Sequence, residues 1–334
     1  MANLPSKQKA VIFNTETNKL SFTTSAALPS STEEHLIKVH STAITNGELT
    51  WAPFVNWPTL HIPCYDVSGT ILTSVQNSKF QVGDEIYGRI HAGREGSACE
   101  YATILPSETA LVPKGLNMIH AASVPMSALT AWQAIFEQGG LCSAPYVSDA
   151  GEIFGGQAKE KRVLVLGAAG GVGLLAVQFA RIAGAWVAGT ASAKNEVYLK
   201  EVGVDEVVDY TKVSVEEWVG GEENKKFDLV FDCVGKQSML DGWFGVKDNG
   251  AYVSIVPGFK EPDGGKPKGV KSVWFVMDSR GEELEAIGRF IGKGLVKTTV
   301  DSVYKIGDYE QAFAKTASGH ARGKVVINIG GDNE

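Results

Sequence analysis

The segment that most limits how this chain can fold is Val163-Leu-Val-Leu-Gly-Ala-Ala-Gly-Gly-Val-Gly173. An apolar run of strand type ends in glycines, which open directly into a helix-spaced series, Leu174, Val177, Gln178 and Arg181. Each glycine has a distinct task in such a turn. Gly167 permits the tight reversal, Gly170 and Gly171 let the backbone approach a pyrophosphate, and Gly173 lets the helix pack against the strand. The free N–H groups of the first helical turn, over Gly170, Gly171, Val172 and Gly173, then face the anion. Residues 163–180 carry no charge, which meets a membrane threshold on length. Four glycines and Gln178 interrupt the run, and a buried parallel strand with its packed helix explains it better.

What surrounds this segment is α/β. Strands are expected at Val163–Gly167, Trp186–Thr190, Glu206–Asp209, Phe227–Asp232 and Tyr252–Pro257, with helices at Gly171–Ala183 and Lys194–Val202. Residues 1–125 read differently. Short β-branched and aromatic runs such as Lys9–Phe13, His35–Val39, Val67–Ile71 and Tyr101–Ile104 alternate with turn signals, the pattern of a β barrel or sandwich. Ser143–Glu160 and Glu261–Lys271 read as loops. The last part holds helices near Glu282–Ile291 and Asp308–Ala317 and a strand at Lys324–Ile329. A chain of 334 residues has room for two cores.

The end of the second α/β strand discriminates between nicotinamide cofactors. A carboxylate there would bind the ribose 2′-hydroxyl of NAD, but the chain reads Gly189-Thr-Ala-Ser-Ala-Lys-Asn195. A hydroxyl and an ammonium favour a 2′-phosphate, so NADPH is expected, with Ser192 and Lys194 on the phosphate and Asn195 beside them.

Further segments, in order, carry a resemblance over nearly the full length: Gly83–Gly88, Ser97-Ala-Cys-Glu-Tyr-Ala102, Ala121–Pro125 with Leu129-Thr-Ala-Trp132, Gly167–Gly173, Asp209-Tyr210, Asp232-Cys-Val-Gly235 and Gly323-Lys-Val-Val326. Together they resemble the medium-chain dehydrogenase/reductase superfamily, in its zinc-independent quinone oxidoreductase and enoyl reductase-like branch. The resemblance implies a Rossmann doubly wound parallel sheet inserted into a GroES-like β-rich catalytic domain. The expected divisions are residues 1–125 for the first catalytic segment, 126–272 for the NADPH domain, and 273–334 returning to the catalytic domain. It also implies Tyr210 at the adenosine 2′-phosphate, Thr130 near the nicotinamide, and Ile255–Gly258, with Ile255 and Val256, bordering its nicotinamide half.

By the same resemblance, the positions that hold catalytic zinc in alcohol dehydrogenases fall on Asn46, Tyr65 and Met126. An amide, a phenol and a thioether are not a normal zinc set, so no metal is expected. Cys64, Cys99, Cys142 and Cys233 stand apart without zinc-ligand spacing. Hydride delivery to an activated C=C (enone or enoyl) or to a quinone then remains, because conjugation spreads charge that hydrogen-bond donors can stabilise. Tyr65 is the expected donor to the enolate, and Asn46 is expected on the nicotinamide ribose or the substrate carbonyl. Glu48 either relays a proton or faces solvent. Trp51, Phe54 and Trp57 suggest an aromatic substrate wall or, equally, loop core. His61 and His91 have no recognisable partner and read as structural or surface residues.

A net charge of −7 without a basic run disfavours nucleic acid and anionic membranes. The polar residues 1–9 lack the apolar run of a secretory leader, and a cytoplasmic location is expected. The resemblance further implies a strand at Val273–Met277 after the fifth, pairing between subunits in a homodimer, and a biosynthetic assembly-line partner, with the chain as a trans-acting enoyl reductase. The alternatives left open are a zinc-type alcohol dehydrogenase and a non-catalytic, crystallin-like NADPH-binding protein.

Overall fold

In a computed structural model, which describes residues 4–330, the apolar run before the glycines forms the strand Arg162–Leu166 and the following helix spans Gly171–Ile182. Gly173 through Ala180 are buried without a break. This accounts for the uncharged stretch, and no described helix is long and apolar enough to cross a membrane.

The chain divides into two units. The unit of Ser127–Asp278 with Lys293–Lys297 carries a six-stranded parallel sheet. Its order is Glu206–Asp209, Trp186–Ala191, Arg162–Leu166, Phe227–Asp232, Val246–Ser254, Lys271–Trp274. Numbered along the chain this is 3-2-1-4-5-6, the doubly wound arrangement. The order reverses between Arg162–Leu166 and Phe227–Asp232, so the ligand crevice of such a sheet lies beyond their carboxyl ends. Leu164, Leu166, Phe227, Val230, Trp243 and Tyr252 form the core on one face.

Several expected boundaries move. The fifth strand runs Val246–Ser254, so Ile255 and Val256 lie in the turn beyond it. The loop Ser143–Glu160 contains a hairpin, Tyr146–Val147 with Ile153–Phe154. The sixth strand, expected at Val273–Met277, runs Lys271–Trp274 and pairs with Ala251–Ser254, so the expected division at 272/273 cuts it. Gln133 then fixes the exit from this unit, accepting from Asp278 N at 2.9 Å and donating to Asp278 O at 3.0 Å. Residues 293–297 also leave the terminal segment for this unit, because Gln178 bonds both backbone groups of Lys297.

The other unit holds the described residues through 126, 279–292 and 298–330. Its seven-stranded sheet centres on His35–Ile44, flanked by Lys324–Asn328 and Asp66–Thr73, both antiparallel to it. His35–Ile44 alternates buried and open positions at first, then is buried throughout Ser41–Ile44. Pairing explains the change: Ile44 lies opposite Val325 and Ala43 opposite Asp66. Residues almost 300 positions apart in sequence are thus brought to one strand end.

Candidate functional site

In the parallel-sheet unit, the glycine turn shows which glycines the fold itself requires. Gly167 has φ 81°, and a Cβ there would lie 2.7 Å from Val234 Cγ2. A Cβ on Gly173 would lie 2.3 Å from Gly167 O and 2.8 Å from Ala168 Cα. At Gly170 the nearest atom would be Gly167 O at 3.4 Å, an ordinary contact. Packing therefore demands glycine at 167 and 173 and not at 170. The first helical turn, from Gly171 through Gly173, presents its amides without intrahelical acceptors.

Two side chains without an obvious signal in the sequence brace this turn. Thr190 Oγ1 accepts from Gly167 N at 2.9 Å. Asp232, fully buried, accepts from Val234 N and Gly235 N with Oδ1 and from Ser254 Oγ at 2.7 Å with Oδ2. Ser254 Oγ in turn accepts from Val256 N at 3.1 Å, which fixes the turn holding Ile255 and Val256. The hints of Asp232 are its place at a strand end and the segment Asp232-Cys-Val-Gly235 that contributes to the family resemblance.

Ala191 and Asp209 are register partners, so Ser192 and Tyr210 leave adjacent strand ends. Ser192 opens a single turn, Ala193–Asn195. Lys194 is exposed, Tyr210 is exposed, and Asn195 is buried. The nearby carboxylate, Asp209, turns onto Thr211 and Lys212, and hydrogen bonding from Thr211 holds its pKa below the ordinary value. Thr130 lies buried in the helix Pro125–Trp132.

In the β-rich unit, Asn46 follows the buried strand end and is exposed, with no side-chain hydrogen bond to the described residues. Glu48 faces neither solvent nor open space: it is buried, accepting from Thr45 N at 2.9 Å and Cys64 N at 3.1 Å. Burial pushes its pKa up to about 7, against the opposing pull of Thr45 N and Lys324. Behind it, Asp66 and Lys324 form a buried ion pair at 3.0 Å. Lys324 Nζ also donates to Thr45 Oγ1, and Asp66 Oδ1 accepts from Met126 N at 2.7 Å.

Tyr65 departs from expectation. Its side chain is buried, with its hydroxyl 2.6 Å from His61 Nε2 and its ring stacked on Trp51 and Trp57. The hydroxyl expected to meet an enolate is thus engaged within the core. His61 is not partnerless: it is buried and stacked on Trp57 at 4.3 Å, with Nδ1 3.4 Å from Glu95. Trp57 is core, donating to Ala92 O at 2.6 Å, whereas Phe54 is exposed. His91 is exposed and accepts from Gly93 N through Nδ1.

A model of the family described as zinc-binding dehydrogenase matches residues 202–327. A probable zinc-binding oxidoreductase, mitochondrial, of Arthroderma benhamiae is 40% identical over 89% of this chain and 88% of its own length. The chain belongs to the zinc-binding dehydrogenase family, within the medium-chain dehydrogenase/reductases. The mitochondrial NAD(P)H oxidoreductase RTN4IP1 of Danio rerio is 32% identical over 79% of this chain and 71% of its own. The quinone oxidoreductase of Coxiella burnetii shares the fold, with TM-score 0.80 at 24% identity over 97% and 99% of the two chains. As a member of this family, the protein is an oxidoreductase that works with a nicotinamide cofactor.

The zinc in the family's name does not fit the donors found here. Asn46 offers an amide, Tyr65 a phenol bound to His61, and Met126 a thioether that accepts from Thr45 Oγ1 at 3.0 Å. Zinc takes thiolate, imidazole or carboxylate. Among the described residues, no group of three or more His, Cys, Asp or Glu side chains is arranged to hold a metal.

Proposed function

We propose that this protein is an NADPH-dependent, metal-free reductase that delivers a hydride to an activated C=C of an enone or enoyl compound, or to a quinone. The observation that carries this reading is the donor set Asn46, Tyr65 and Met126 in a family named for zinc. Oxidation of an alcohol through a metal alkoxide needs a Lewis acid. Reduction of a conjugated carbonyl needs less, since its negative charge is delocalised and can be met by hydrogen-bond donors.

When bound, the nicotinamide supplies the hydride. The chain's part is binding and placement. The amides of Gly171, Val172 and Gly173 receive the pyrophosphate, and Gly170, which the fold leaves free to carry a side chain, keeps that approach open. Ser192, Lys194, Asn195 and Tyr210 receive the 2′-phosphate, while Asp209 is occupied by Thr211 and Lys212. Thr130, Ile255 and Val256 border the nicotinamide. Asn46, exposed and unbonded, is the side chain offered to the ribose or the substrate carbonyl.

The decisive assay follows NADPH and NADH absorbance against enones, alkenals and quinones after dialysis with a chelator. Turnover with NADPH by zinc-free protein supports the reading, and activity that returns only with stoichiometric zinc refutes it. Lys194→Ala is expected to raise the KM for NADPH by roughly 10-fold, the loss of one charge-assisted bond, and to spare NADH. Equal effects on both cofactors remove the 2′-phosphate assignment. We further propose a cytoplasmic location and a homodimer through Val273–Met277, which begins on the strand Lys271–Trp274, whose outer edge pairs with no strand among the described residues. Fluorescent-fusion imaging and light scattering test these two points.

A further inference from the structure

Asn46 is exposed and its side chain makes no hydrogen bond among the described residues, so its direction is set by its backbone alone. That backbone is the corner of a four-residue turn, Thr45–Glu48. Glu48 N donates to Thr45 O at 3.2 Å, and Gly47, at φ 81° and ψ −1°, has the left-handed geometry of the third residue in a type II turn. The near side of the corner is pinned at Thr45, whose Oγ1 accepts from Lys324 Nζ at 3.1 Å and donates to Met126 Sδ at 3.0 Å.

The far side is held by the buried carboxylate of Glu48. Its Oε2 accepts from Thr45 N at 2.9 Å, which closes the turn a second time. Its Oε1 accepts from Cys64 N at 3.1 Å, in the connection between the strands Leu60–His61 and Asp66–Thr73. Cys64 is itself a fixed point. Its φ of 66° is costly for a residue with a Cβ and persists only where the neighbours determine it. Here Cys64 O accepts from Ser97 N at 2.6 Å and from Ser97 Oγ at 3.0 Å, while Cys64 N meets Glu48. Both amides that face Glu48 are donors. A carboxylate offers each of them an acceptor oxygen, whereas a glutamine offers one oxygen and turns its NH2 toward the other amide. A carboxylate is also costly to bury, so filling space does not explain its presence; joining two donors does.

We infer that Glu48 is a positioning residue, a two-point clamp that ties the Asn46 corner to the rigid Cys64 segment and so fixes where the Asn46 amide is presented. The inference rests on the reductase reading, which gives Asn46 its task on the ribose or the substrate carbonyl. Glu48 acts only through Asn46. A displacement of about 1 Å in such a group can cost about 100-fold in rate, so even a partial loosening of the corner is measurable.

The test is a double-mutant cycle on the full chain: wild type, Glu48→Gln, Asn46→Ala and the double variant, compared in kcat/KM with NADPH and an alkenone or quinone that wild type reduces. Assays at about pH 8.5, above the Glu48 pKa of about 7, keep the carboxylate as the form compared. Glu48→Gln is expected to lower kcat/KM by roughly 10-fold, the equivalent of one charge-assisted hydrogen bond. In the Asn46→Ala background the group being positioned is gone, and the same substitution should cost much less. A loss smaller in that background by more than about twofold supports the clamp. Losses equal within about twofold overturn it, since a purely structural Glu48 costs the same with or without the Asn46 amide. If no alkenone or quinone is reduced at all, the reductase reading fails, and NMR order parameters of the Asn46 backbone amide still decide the clamp. A fall from wild type to Glu48→Gln supports it, and an unchanged value overturns it. Should Glu48→Gln fail to fold, the wild-type value decides: above about 0.6 the corner is held, and below about 0.6 it is flexible and the clamp is refuted.

Discussion

The two units build their functional surfaces from different materials. In the parallel-sheet unit the working parts are backbone: glycines, the amides of one helix start, and strand ends braced by Thr190, Asp232 and Ser254. In the β-rich unit the working parts are buried charges from distant segments, Glu48, Asp66, Arg89 and Lys324, set side by side by strand pairing. A backbone site tolerates side-chain change except where a Cβ has no room. A charge site depends on its ion pair, here Asp66 with Lys324, because an uncompensated ion in the interior costs several kcal/mol.

The sharpest way to break this contrast is Lys324→Met. It strands Asp66, buried and opposite Arg89, without its ion-pair partner, and the expected loss is about 3–5 kcal/mol, the usual consequence of removing one partner of a buried pair. Urea unfolding measures it. A loss below about 1 kcal/mol, the range of exposed pairs, would show that the cluster is not held together by charge.

Glu48 gives the next largest effect, and its sign is fixed. A carboxyl that rises from 4.5 in the unfolded chain to about 7 in the fold stabilises most fully below pH 4.5, and that contribution falls away as pH climbs through 7. The loss amounts to roughly 3 kcal/mol over that window. His35 and His120, whose pKa values burial lowers, slope the other way up to about pH 6.5. Only the difference between wild type and Glu48→Gln therefore isolates the group. If that difference does not change between pH 4.5 and 7.5, Glu48 is not the titrating group.

The same contrast explains how far the molecule is legible in its amino-acid sequence. The turn Gly167–Gly173 and most of the parallel strands follow from local signals, apolar runs and glycines a few residues apart. The sixth strand, expected at Val273–Met277, lies two to three residues earlier at Lys271–Trp274, because it adjoins a loop of Gly, Pro and Lys and its bounds are set by pairing with Ala251–Ser254. In the β-rich unit, Asn46, Glu48 and Tyr65 stand out by position, but their surroundings do not. Whether Glu48 faces solvent depends on Cys64 crossing beside it, and whether Tyr65 is open depends on His61 and two tryptophans closing over it.

The smallest expected stability effect tests the backbone side of the contrast within one turn. Gly173→Ala places a methyl 2.3 Å from Gly167 O, a contact that forces backbone to move, and should cost about 2–3 kcal/mol, in the range of overpacked sites. Gly170→Ala places its methyl no closer than 3.4 Å to any protein atom outside its immediate neighbours. Its φ of −76° is ordinary for alanine, so stability should stay within about 0.5 kcal/mol of wild type. Cofactor binding should reverse the order of interest. Gly170→Ala, though fully folded, should weaken NADPH binding by roughly 10-fold or more in a fluorescence titration, because its methyl occupies the space through which the pyrophosphate reaches the amides. A stable Gly170→Ala that binds NADPH as wild type does would mean that neither the fold nor the cofactor requires glycine at 170, and the phosphate would have to be placed elsewhere.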